Sequence, residues 1–467
     1  VAAMGLSAGE VPLSGSLPMG TGSLTILDSG RVSVSTSVSN RTGSIKAQAG
    51  DVLVDGLGNP TGTGFYGVTG GGTGNGAQIE INAASSFALL NAGVISAATQ
   101  TAANAGAISI ASPRLTIDNS LVSVASYNLG AAGTVNITGG KMALAHGGQI
   151  WANARDRGAA GSITVTAADS ADISSGGYIS AATATAAKAG SVVIDSSRVT
   201  LDNSVIDASS SGTGNAGTVN ITGSRIAFTG GGQIGASAYD RGVAGSVSLA
   251  AAESIEISGR DIDGNRSAVF VSTSGKAPAG SVDLNAPKIT IRDDGLISGY
   301  AYGSTLGGTG TATAGHVQVR TTDLLLENGG KISVEGYDAG GQGSVTVEAA
   351  NSVRIRGKGE GPDPSPGSDT VSTGILGHGT DIRISTPEIL VSESGAIRSE
   401  SWWQDVPGRI DITTQRLTLE SGGHISGNAL GHSLTSGIGA PIVIRASEFV
   451  RVEGSRNGRG STIASGT

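Results

Sequence analysis

The stretch "TVNITGSRIAFTGGGQIGASAYDRGVAG", residues 218–245, is a near copy of "TVNITGGKMALAHGGQIWANARDRGAAG", residues 134–161. The two stretches match at 18 of 28 positions without a gap, so that Thr218 corresponds to Thr134. Other segments return at the same offset, because "PRLTIDNSLV" at 113–122 reappears as "SRVTLDNSVI" at 197–206. Self-similarity at a fixed period is the signature of stacked repeats. The offset therefore predicts a chain built by copying triplets of units, each of about 28 residues.

One such unit reads as three short strands. In 218–245 the strands are "TVNIT", "IAFT" and "QIGASA", and the segments "GSR" and "GGG" form the corners. Apolar and polar residues alternate within each strand, so one face is buried and the other faces solvent. We expect glycine to supply the positive φ at the corners. No unit is broad enough to bury its own apolar face, so the units must stack as coils of a parallel β-helix.

Anchor glycines mark the start of successive coils at mostly regular spacings. They predict an all-β fold of about 28 residues and three strands per coil, with roughly 15 coils in total. We expect residues 1–20 to be an irregular lead-in and 21–467 to be a single continuous β-helix. The anchor glycines are Gly106, Gly133, Gly161, Gly190, Gly217, Gly245, Gly280, Gly315, Gly343 and Gly408.

The composition restricts the function classes. The formal net charge is −8, which disfavours binding to the phosphate backbone of nucleic acids. There is no cysteine, which excludes disulfides, thiol catalysis and cysteine-ligated zinc. The sequence has no run of about 18 apolar residues, so no membrane span is predicted. The first and last residues lack the features of natural ends, so we expect a piece of a longer protein.

Two columns of side chains are expected along the stacked coils. The first is a column of charges at the first corner, which we interpret chiefly as solvated turn residues that help to fix register, and less as a binding stripe. The second is a group of aromatics where the chain leaves the third strand. These aromatics either cover the corner or form contacts with sugar rings or another protein. They are Tyr127, Tyr239, Tyr300, Tyr302, Tyr337, Trp402 and Trp403.

Insertions are expected at the corners of the coils. Insertions confined to one corner of a repeat protein often decorate a binding face, although loops are also cheap to lengthen. We weigh the two interpretations evenly. The predicted inserts lie near 56–76, 259–268, 303–315, 357–370 and 429–441.

The sequence gives no catalytic or metal-binding pattern. Asp156, Asp240 and Asp338 recur every third coil, so consecutive members should be about 14 Å apart. Glycosidase carboxyl pairs are about 5–9.5 Å apart, so this spacing is too wide for a shared reaction centre. The five histidines have no metal-ligand spacing, and we expect them at the surface or at corners. No enzyme, cofactor or metal is predicted.

The repeat texture resembles the exoproteins of the filamentous haemagglutinin type, which are secreted by two-partner systems. The clearest segments are "LLLENGGKISVEGYDAGGQG" at 324–343 and "LTLESGGHISGN" at 417–428, and the likeness covers nearly the whole chain from about Thr21. It concerns the repeat region of that family, since the family's secretion domain is not visible. The resemblance implies a right-handed β-helix, export through an outer-membrane transporter, and a place on or outside a Gram-negative bacterium.

The resulting prediction is a non-enzymatic extracellular adhesin or structural rod that acts by reach and multivalent contact. The expected partners are a glycan or protein on a host or neighbouring cell, and possible further copies of the chain added end to end. The alternative is a β-helix carbohydrate-active enzyme, a polysaccharide lyase or hydrolase. Two carboxylates within about 10 Å of each other on a groove would favour that alternative.

Overall fold

Strands are the regular elements of the chain, and the described residues contain no helix. The computed structural model describes residues 22–36, 43–58, 62–69, 75–302, 312–337, 343–358, 373–400, 408–429 and 439–466. The chain divides into two units, Val1–Gly223 and Ser224–Thr467. No apolar helix long enough to span a membrane occurs in the described part.

The first unit contains two parallel sheets whose strands alternate along the chain. The odd-numbered strands β1 to β13 pair in chain order in one sheet, and the even-numbered strands β2 to β14 do so in the other. The strands are β1 Ser23–Leu27, β2 Arg31–Thr36, β3 Ser44–Asp55, β4 Gly64–Thr69, β5 Gln78–Leu90, β6 Val94–Ser96, β7 Ala107–Asp118, β8 Leu121–Ser123, β9 Thr134–Ala145, β10 Gln149–Trp151, β11 Ser162–Ser174, β12 Tyr178–Ser180, β13 Ser191–Asp202 and β14 Val205–Asp207.

The second unit repeats this arrangement, and strand β15, Thr218–Thr229, crosses the division between the units. Its strands are β16 Gln233–Gly235, β17 Ser246–Ser258, β18 Ala268–Phe270, β19 Ser281–Arg292, β20 Leu296–Ser298, β21 Ala301–Tyr302, β22 His316–Glu327, β23 Lys331–Tyr337, β24 Ser344–Arg356, β25 Gly374–His378, β26 Asp381–Ser385, β27 Glu388–Ser392, β28 Ala396–Glu400, β29 Ile410–Leu419, β30 His424–Ser426, β31 Ile442–Val452, β32 Ser455–Arg456, β33 Arg459–Gly460 and β34 Thr462–Ala464. The pairings follow the coil order, apart from the short antiparallel hairpin of β32 and β33.

Each unit is thus a stack of coils, consistent with the right-handed parallel β-helix predicted from the sequence. Most coils have one long strand element in the first sheet and one shorter strand in the second sheet. The 16 strands of the first sheet correspond to 15 coils among the described residues, because β26 and β27 share one coil. The predicted number of coils is therefore confirmed, whereas the single continuous helix over 21–467 stays a prediction.

The first corner lies within one long strand element, but it interrupts the alternation of buried residues along that element. In β9 the alternating pattern buries Val135 and Ile137 before the corner, and Met142 and Leu144 after it. The parallel ladder to β7 continues through the corner, where Ser112 pairs with Gly139. Pro113 and Gly140 have no partner in this ladder, and the buried positions change from odd to even numbers across the corner. The predicted first and second strands are therefore two segments of one strand element, and the prediction of three strands per coil is confirmed.

The triplet appears in the structure as one extra residue at the first corner of every third coil. Strands β5, β11, β17 and β24 have 13 residues each. The other long strands from β3 to β22 have 12 residues each. The ladder shifts register at this point, for example where Ala167 pairs with Ser196 but Ser170 pairs with Arg198. An added residue of this kind is a bulge, which leaves the flanking pairs intact, so the repeat of three coils has a backbone signature as well as a sequence signature.

The second corner is a tight turn in which both glycine and other residues have positive φ values. In the coil of β9, the N–H of Gly148 donates to the carbonyl of Ala145 at 2.8 Å, and His146 and Gly147 have φ values of 47° and 77°. Two consecutive positive φ values define a type I′ turn. Asparagine, aspartate and serine take the position of His146 elsewhere, as at Asn328, Asp293 and Ser175. Glycine therefore supplies part of the positive φ at the corners, and short polar side chains, which also tolerate this region, supply the rest.

The anchor glycines are required by close approach between coils. The N–H of Gly161 donates to the carbonyl of Ala152 at 2.7 Å, which closes the coil on itself. A Cβ at Gly161 would overlap the carbonyl oxygen of Gly133 in the preceding coil, and Gly280 meets Gly245 in the same way in the second unit. Only a residue without a side chain fits where backbone lies against backbone in this manner.

Candidate functional site

A column of outward-facing residues follows the short strands of the first unit. Isolated parallel bridges continue the second sheet past the short strands at Thr99, Ser126, Ala154, Thr183 and Ser210. The residue directly after each bridge faces solvent, because the bridged residue itself is buried. These exposed residues, which we call the edge column, are Gln100, Tyr127, Arg155, Ala184 and Ser211.

The predicted aromatics occupy different positions in this scheme. Tyr127 belongs to the edge column, and Tyr239 follows the bridge of Ala238 in the second unit, where it is 59% exposed. Tyr300 lies just before the bridged Ala301, is half-buried, and donates from its hydroxyl to Ser333 Oγ at 3.4 Å.

The remaining predicted aromatics are described less fully. Tyr302 pairs in register with Tyr337 between β21 and β23. Trp402 and Trp403 lie outside the described residues.

Two residues that the sequence analysis missed complete an aromatic and cationic group around Tyr127. The guanidinium of Arg155 lies over the Tyr127 ring at 5.2 Å and over the Trp151 ring at 5.7 Å from their centroids. Cations at this range are attracted by the ring quadrupole. We call Tyr127, Trp151 and Arg155 the Arg155 cluster. Its signal in the sequence was that Tyr127 and Arg155 are one coil apart, which places both residues at one position in neighbouring coils.

The predicted insert near 259–268 is a small ordered loop. Arg260 and Arg266 form an antiparallel bridge, and Ile262 at the tip is fully exposed. The Asp261 carboxylate accepts hydrogen bonds from the backbone N–H of Asp263 at 2.9 Å and of Asn265 at 2.7 Å. The hydrogen bond from the Asn265 side chain is the main cause that lowers the pKa of Asp261. The loop is thus fixed by its own side chains.

An ion-pair network ties this loop to neighbouring coils. Arg260 Nε lies 2.9 Å from Asp294 Oδ2, and Lys358 Nζ lies 2.8 Å from Asp294 Oδ1. Burial alone would raise the pKa of Asp294, but the hydrogen bonds from Lys358 and Arg260 outweigh it and lower the pKa. Arg260 comes from an earlier coil than Asp294 and Lys358 from a later one, so the network links coils on both sides of Asp294.

The other predicted inserts are described only in part. Within the insert near 56–76, Gly64–Thr69 forms β4 and pairs with β2 and β6. Most of the inserts near 303–315, 357–370 and 429–441, and the lead-in 1–20, lie outside the described residues.

The predicted charge column forms ion pairs at several coils. Arg225 Nε lies 2.5 Å from Glu253 Oε2, and Arg416 lies 3.6 Å from Glu388 and 3.4 Å from Glu448. All of these side chains are at least 39% exposed, so each pair contributes at most about 1 kcal/mol. The column acts as a set of register contacts.

The candidate catalytic carboxylates are simple surface groups where they are described. Asp156 and Asp240 are both exposed, and Asp338 lies outside the described residues. Within the described ranges, no group of three or more histidine, aspartate or glutamate side chains is arranged to hold a metal ion.

The histidines were expected at the surface or at corners, and the described ones differ in their burial. His146 is exposed in a turn, where its Nδ1 lies 2.7 Å from Asp118 Oδ2. His378, in contrast, is the last residue of β25 and is only 4% exposed. Its burial was not predictable from spacing, since it depends on what covers the outer face of the sheet.

His378 belongs to a group of ionisable residues on the outer face of the second sheet in the second unit. Glu335 of β23, His378 of β25 and Glu400 of β28 are register partners in three consecutive coils. Glu335 and Lys331 are almost completely buried, although the inward residues Ile332 and Val334 face the opposite way. We call Lys331, Glu335, His378 and Glu400 the outer cluster.

Hydrogen bonds hold the two carboxylates of the outer cluster. Ser333 Oγ donates to Glu335, and Ser426 Oγ donates to Glu400 Oε1 at 3.1 Å. Arg398 Nη1 lies 3.9 Å from Glu400 Oε2. Charges buried in this way must be paired or hydrogen-bonded, because isolated burial is costly.

Comparisons of the chain with protein-family models, with curated proteins and with solved structures gave no match. The resemblance to the filamentous haemagglutinin type therefore stays a prediction from the repeat texture. What the chain does has to be argued from its own side chains.

Proposed function

We propose that the chain is a non-enzymatic binding scaffold, an extracellular adhesin or structural element of a bacterial surface. The edge column is the observation that carries this proposal. It offers one exposed side chain per coil, at steps of about 4.8 Å along the sheet, while the inward residues are used by the core. A surface that repeats in this way suits many weak contacts with a partner that also repeats.

The ordered loop at Arg260–Arg266 supports the same proposal. Its conformation is held by Asp261 and anchored through Asp294, so its fully exposed tip loses little conformational entropy when it is bound. Loops on a rigid scaffold commonly carry binding residues. The expected partners are a glycan or a protein on a host or neighbouring cell.

Export and assembly are parts of the same proposal. A chain without cysteine is suited to crossing an outer-membrane transporter unfolded, as the resemblance implies. Strand edges at the end of a coil stack can pair with a further copy, which would give end-to-end association. Electron microscopy of the purified chain separates filaments from single particles.

An adhesion assay tests the proposal. Fluorescent beads coated with the full chain should attach to epithelial or bacterial cells, and soluble chain should compete with attachment. Attachment should rise steeply with coating density if many weak contacts act together. Attachment no greater than that of albumin-coated beads at every density would contradict the proposal.

The outer cluster favours a second candidate, a carbohydrate-active enzyme. Glu335 and Glu400 are two coils apart, so their backbones are separated by about 10 Å, with His378 between them. Carboxyl groups of inverting glycosidases are about 6.5–9.5 Å apart, and side chains that lean towards each other would reach that range. The near-complete burial of Glu335 and His378 makes this the weaker candidate.

Release of reducing ends tests this second candidate. The full chain is incubated with a panel of neutral and acidic polysaccharides, beside Glu335→Gln and Glu400→Gln variants. A true catalytic pair would give turnover that falls by at least about 100-fold in both variants. Glu348→Gln, which changes an exposed glutamate of β24, serves as the matched control. Absence of turnover by the unchanged protein would remove the enzyme from consideration.

A further inference from the structure

Arg155 is a cation held by aromatic rings instead of by an acid. Its guanidinium lies over Tyr127 and Trp151, and it forms no ion pair with any carboxylate among the described residues. Many other described arginines do form such pairs, including Arg225, Arg260 and Arg292. An exposed arginine without an acidic partner retains its full capacity to bind an external anion.

The two aromatic rings fix the orientation of the Arg155 guanidinium. A guanidinium stacked on an aromatic face has its N–H groups in the plane, where they can meet both oxygens of a carboxylate. Because two rings from neighbouring coils hold the group, less side-chain entropy is lost on binding than for a free surface arginine.

Two further donors of the Arg155 cluster are without partners. The indole Nε1 of Trp151 has no hydrogen-bond acceptor in the described part of the protein. The hydroxyl of Tyr127 lies on an exposed side chain and likewise has no protein partner among the described residues. The indole Nε1 is shielded from solvent, so the donors open to an external ligand are the Tyr127 hydroxyl and the Arg155 guanidinium.

We propose that the Arg155 cluster binds the carboxylate of a uronic acid in an acidic polysaccharide. This inference rests on the proposed scaffold function and names its ligand class. Arg155 would grip the carboxylate, and the exposed part of Tyr127 would contact the sugar ring. The polymer would continue along the edge column over Gln100, Ala184 and Ser211, which are uncharged and do not repel it.

The overall charge of the chain makes this assignment specific. With a net charge of −8, the protein as a whole repels polyanions, so general electrostatic attraction would not produce binding. Any attraction to a polyuronate must therefore come from a local site.

The experiment compares two forms of one polymer. Binding of the full chain to polygalacturonate is measured by biolayer interferometry, beside fully methyl-esterified polygalacturonate, in which the carboxylates are neutral. The variants are Arg155→Gln, Arg155→Lys and, as matched control, Arg157→Gln, which removes the same charge from an exposed residue two positions away. Thermal unfolding checks that every variant folds.

The expected result is binding to polygalacturonate only, weakened at least tenfold by Arg155→Gln and by Arg155→Lys, and less than twofold by Arg157→Gln. The lysine variant keeps the charge but loses the planar fork, so its loss separates recognition from simple charge attraction. Equal binding of the esterified polymer, equal losses at both arginines, or no binding by the unchanged protein would each overturn the inference.

Failure of this inference can be told apart from failure of the proposed function. Beads coated with Arg155→Gln that attach to cells as well as beads with the unchanged chain would refute the ligand assignment and keep the adhesin. Beads that never attach would refute the adhesin itself.

Discussion

The outer face of the second sheet differs between β10 of the first unit and β23 of the second, although the coils that carry these strands are built alike. In the first unit this face shows half-buried residues such as Gln149 and Trp151 of β10. In the second unit the first position of β23 is Lys331, 1% exposed, followed on the same face by the buried Ser333 and Glu335. The inward residues and the anchor glycines define the coil, whereas the outer face is free to vary.

The anchor glycines, which both units share, should be the positions most sensitive to substitution. In Gly161→Ala the new methyl group would overlap the carbonyl of Gly133, so the coil has to open. We expect a loss of about 4 kcal/mol or more in the free energy of unfolding, measured by urea denaturation. Gly280→Ala should behave in the same way in the second unit, because it meets Gly245 similarly.

The control for this prediction is Gly147→Ala, where φ is positive but no atom lies within 4 Å of the added methyl group. It should cost only about 1 kcal/mol, from backbone strain. If Gly161→Ala cost no more than the control, close approach between coils would not be what selects glycine.

The difference between the outer faces should appear when the first residue of a short strand is changed. Lys331→Ala removes a side chain that is almost completely buried and leaves a space behind it, so we expect a loss of about 3 kcal/mol. Gln149→Ala, at the same position of β10, should cost less than about 0.5 kcal/mol. Both are measured by urea denaturation, and similar losses would show that burial does not separate the faces.

His424 makes the face of the second unit sensitive to pH. Burial, followed by the nearby Arg398, lowers the pKa of this half-buried side chain to about 4, compared with about 6.5 in an unfolded chain. Between these values the unfolded state binds more protons, so stability falls as the pH drops from 6.5 to 4. The loss should be at most about 3 kcal/mol.

Unfolding midpoints measured across this pH range check the prediction. His424→Gln should remove the additional acid sensitivity while its stability at neutral pH changes little. An unchanged pH profile in the variant would assign the effect to other groups.

The second corner, the turn that joins the two sheets, allows the same substitution to be compared in the two units, and here we expect the smallest difference in stability. Gly329 and Gly147 hold the same turn position with φ values of 86° and 77°. At Gly147 the space is open, whereas a methyl group at Gly329 would overlap Asp294 Oδ1, which bridges to Lys358. Gly329→Ala should therefore cost about 1–2 kcal/mol more than Gly147→Ala, since overpacking adds to the backbone strain.

A variant without the bridge tests this cause. In a Lys358→Ala background the additional cost at Gly329 should shrink, because the Asp294 side chain can then move away. A difference that stays the same would show that the bridge is not responsible.

The sequence alone indicated the parts of the fold that depend on local pattern. Alternation along "TVNIT" fixes which residues of β9 and β15 face inward, and the anchor glycines fix the coil length. The close pairing at the first corner was hidden, because Gly139 looks like a turn residue although it pairs with Ser112 of β7. The positive φ of Asn119 and His146 was likewise hidden, since neither residue is glycine.

The candidate sites were only partly predictable. Tyr127 was identified because aromatics are rare in this chain, but Arg155 was not, since its role depends on the ring of the coil beside it. The outer cluster was missed entirely. Its members look like surface residues because they are charged or polar, yet Lys331, Glu335 and His378 are almost completely buried.

In every third coil the first corner has one additional residue, and this limits how such a chain can lengthen during evolution. Duplication of a single coil would place two 13-residue strands, or three 12-residue strands, next to each other. The bulge would then no longer occur in every third coil, and the outward side chains would no longer repeat with that period. Duplication of three coils together preserves both. The gene can therefore grow in whole triplets and revise the surface chemistry of each new copy afterwards.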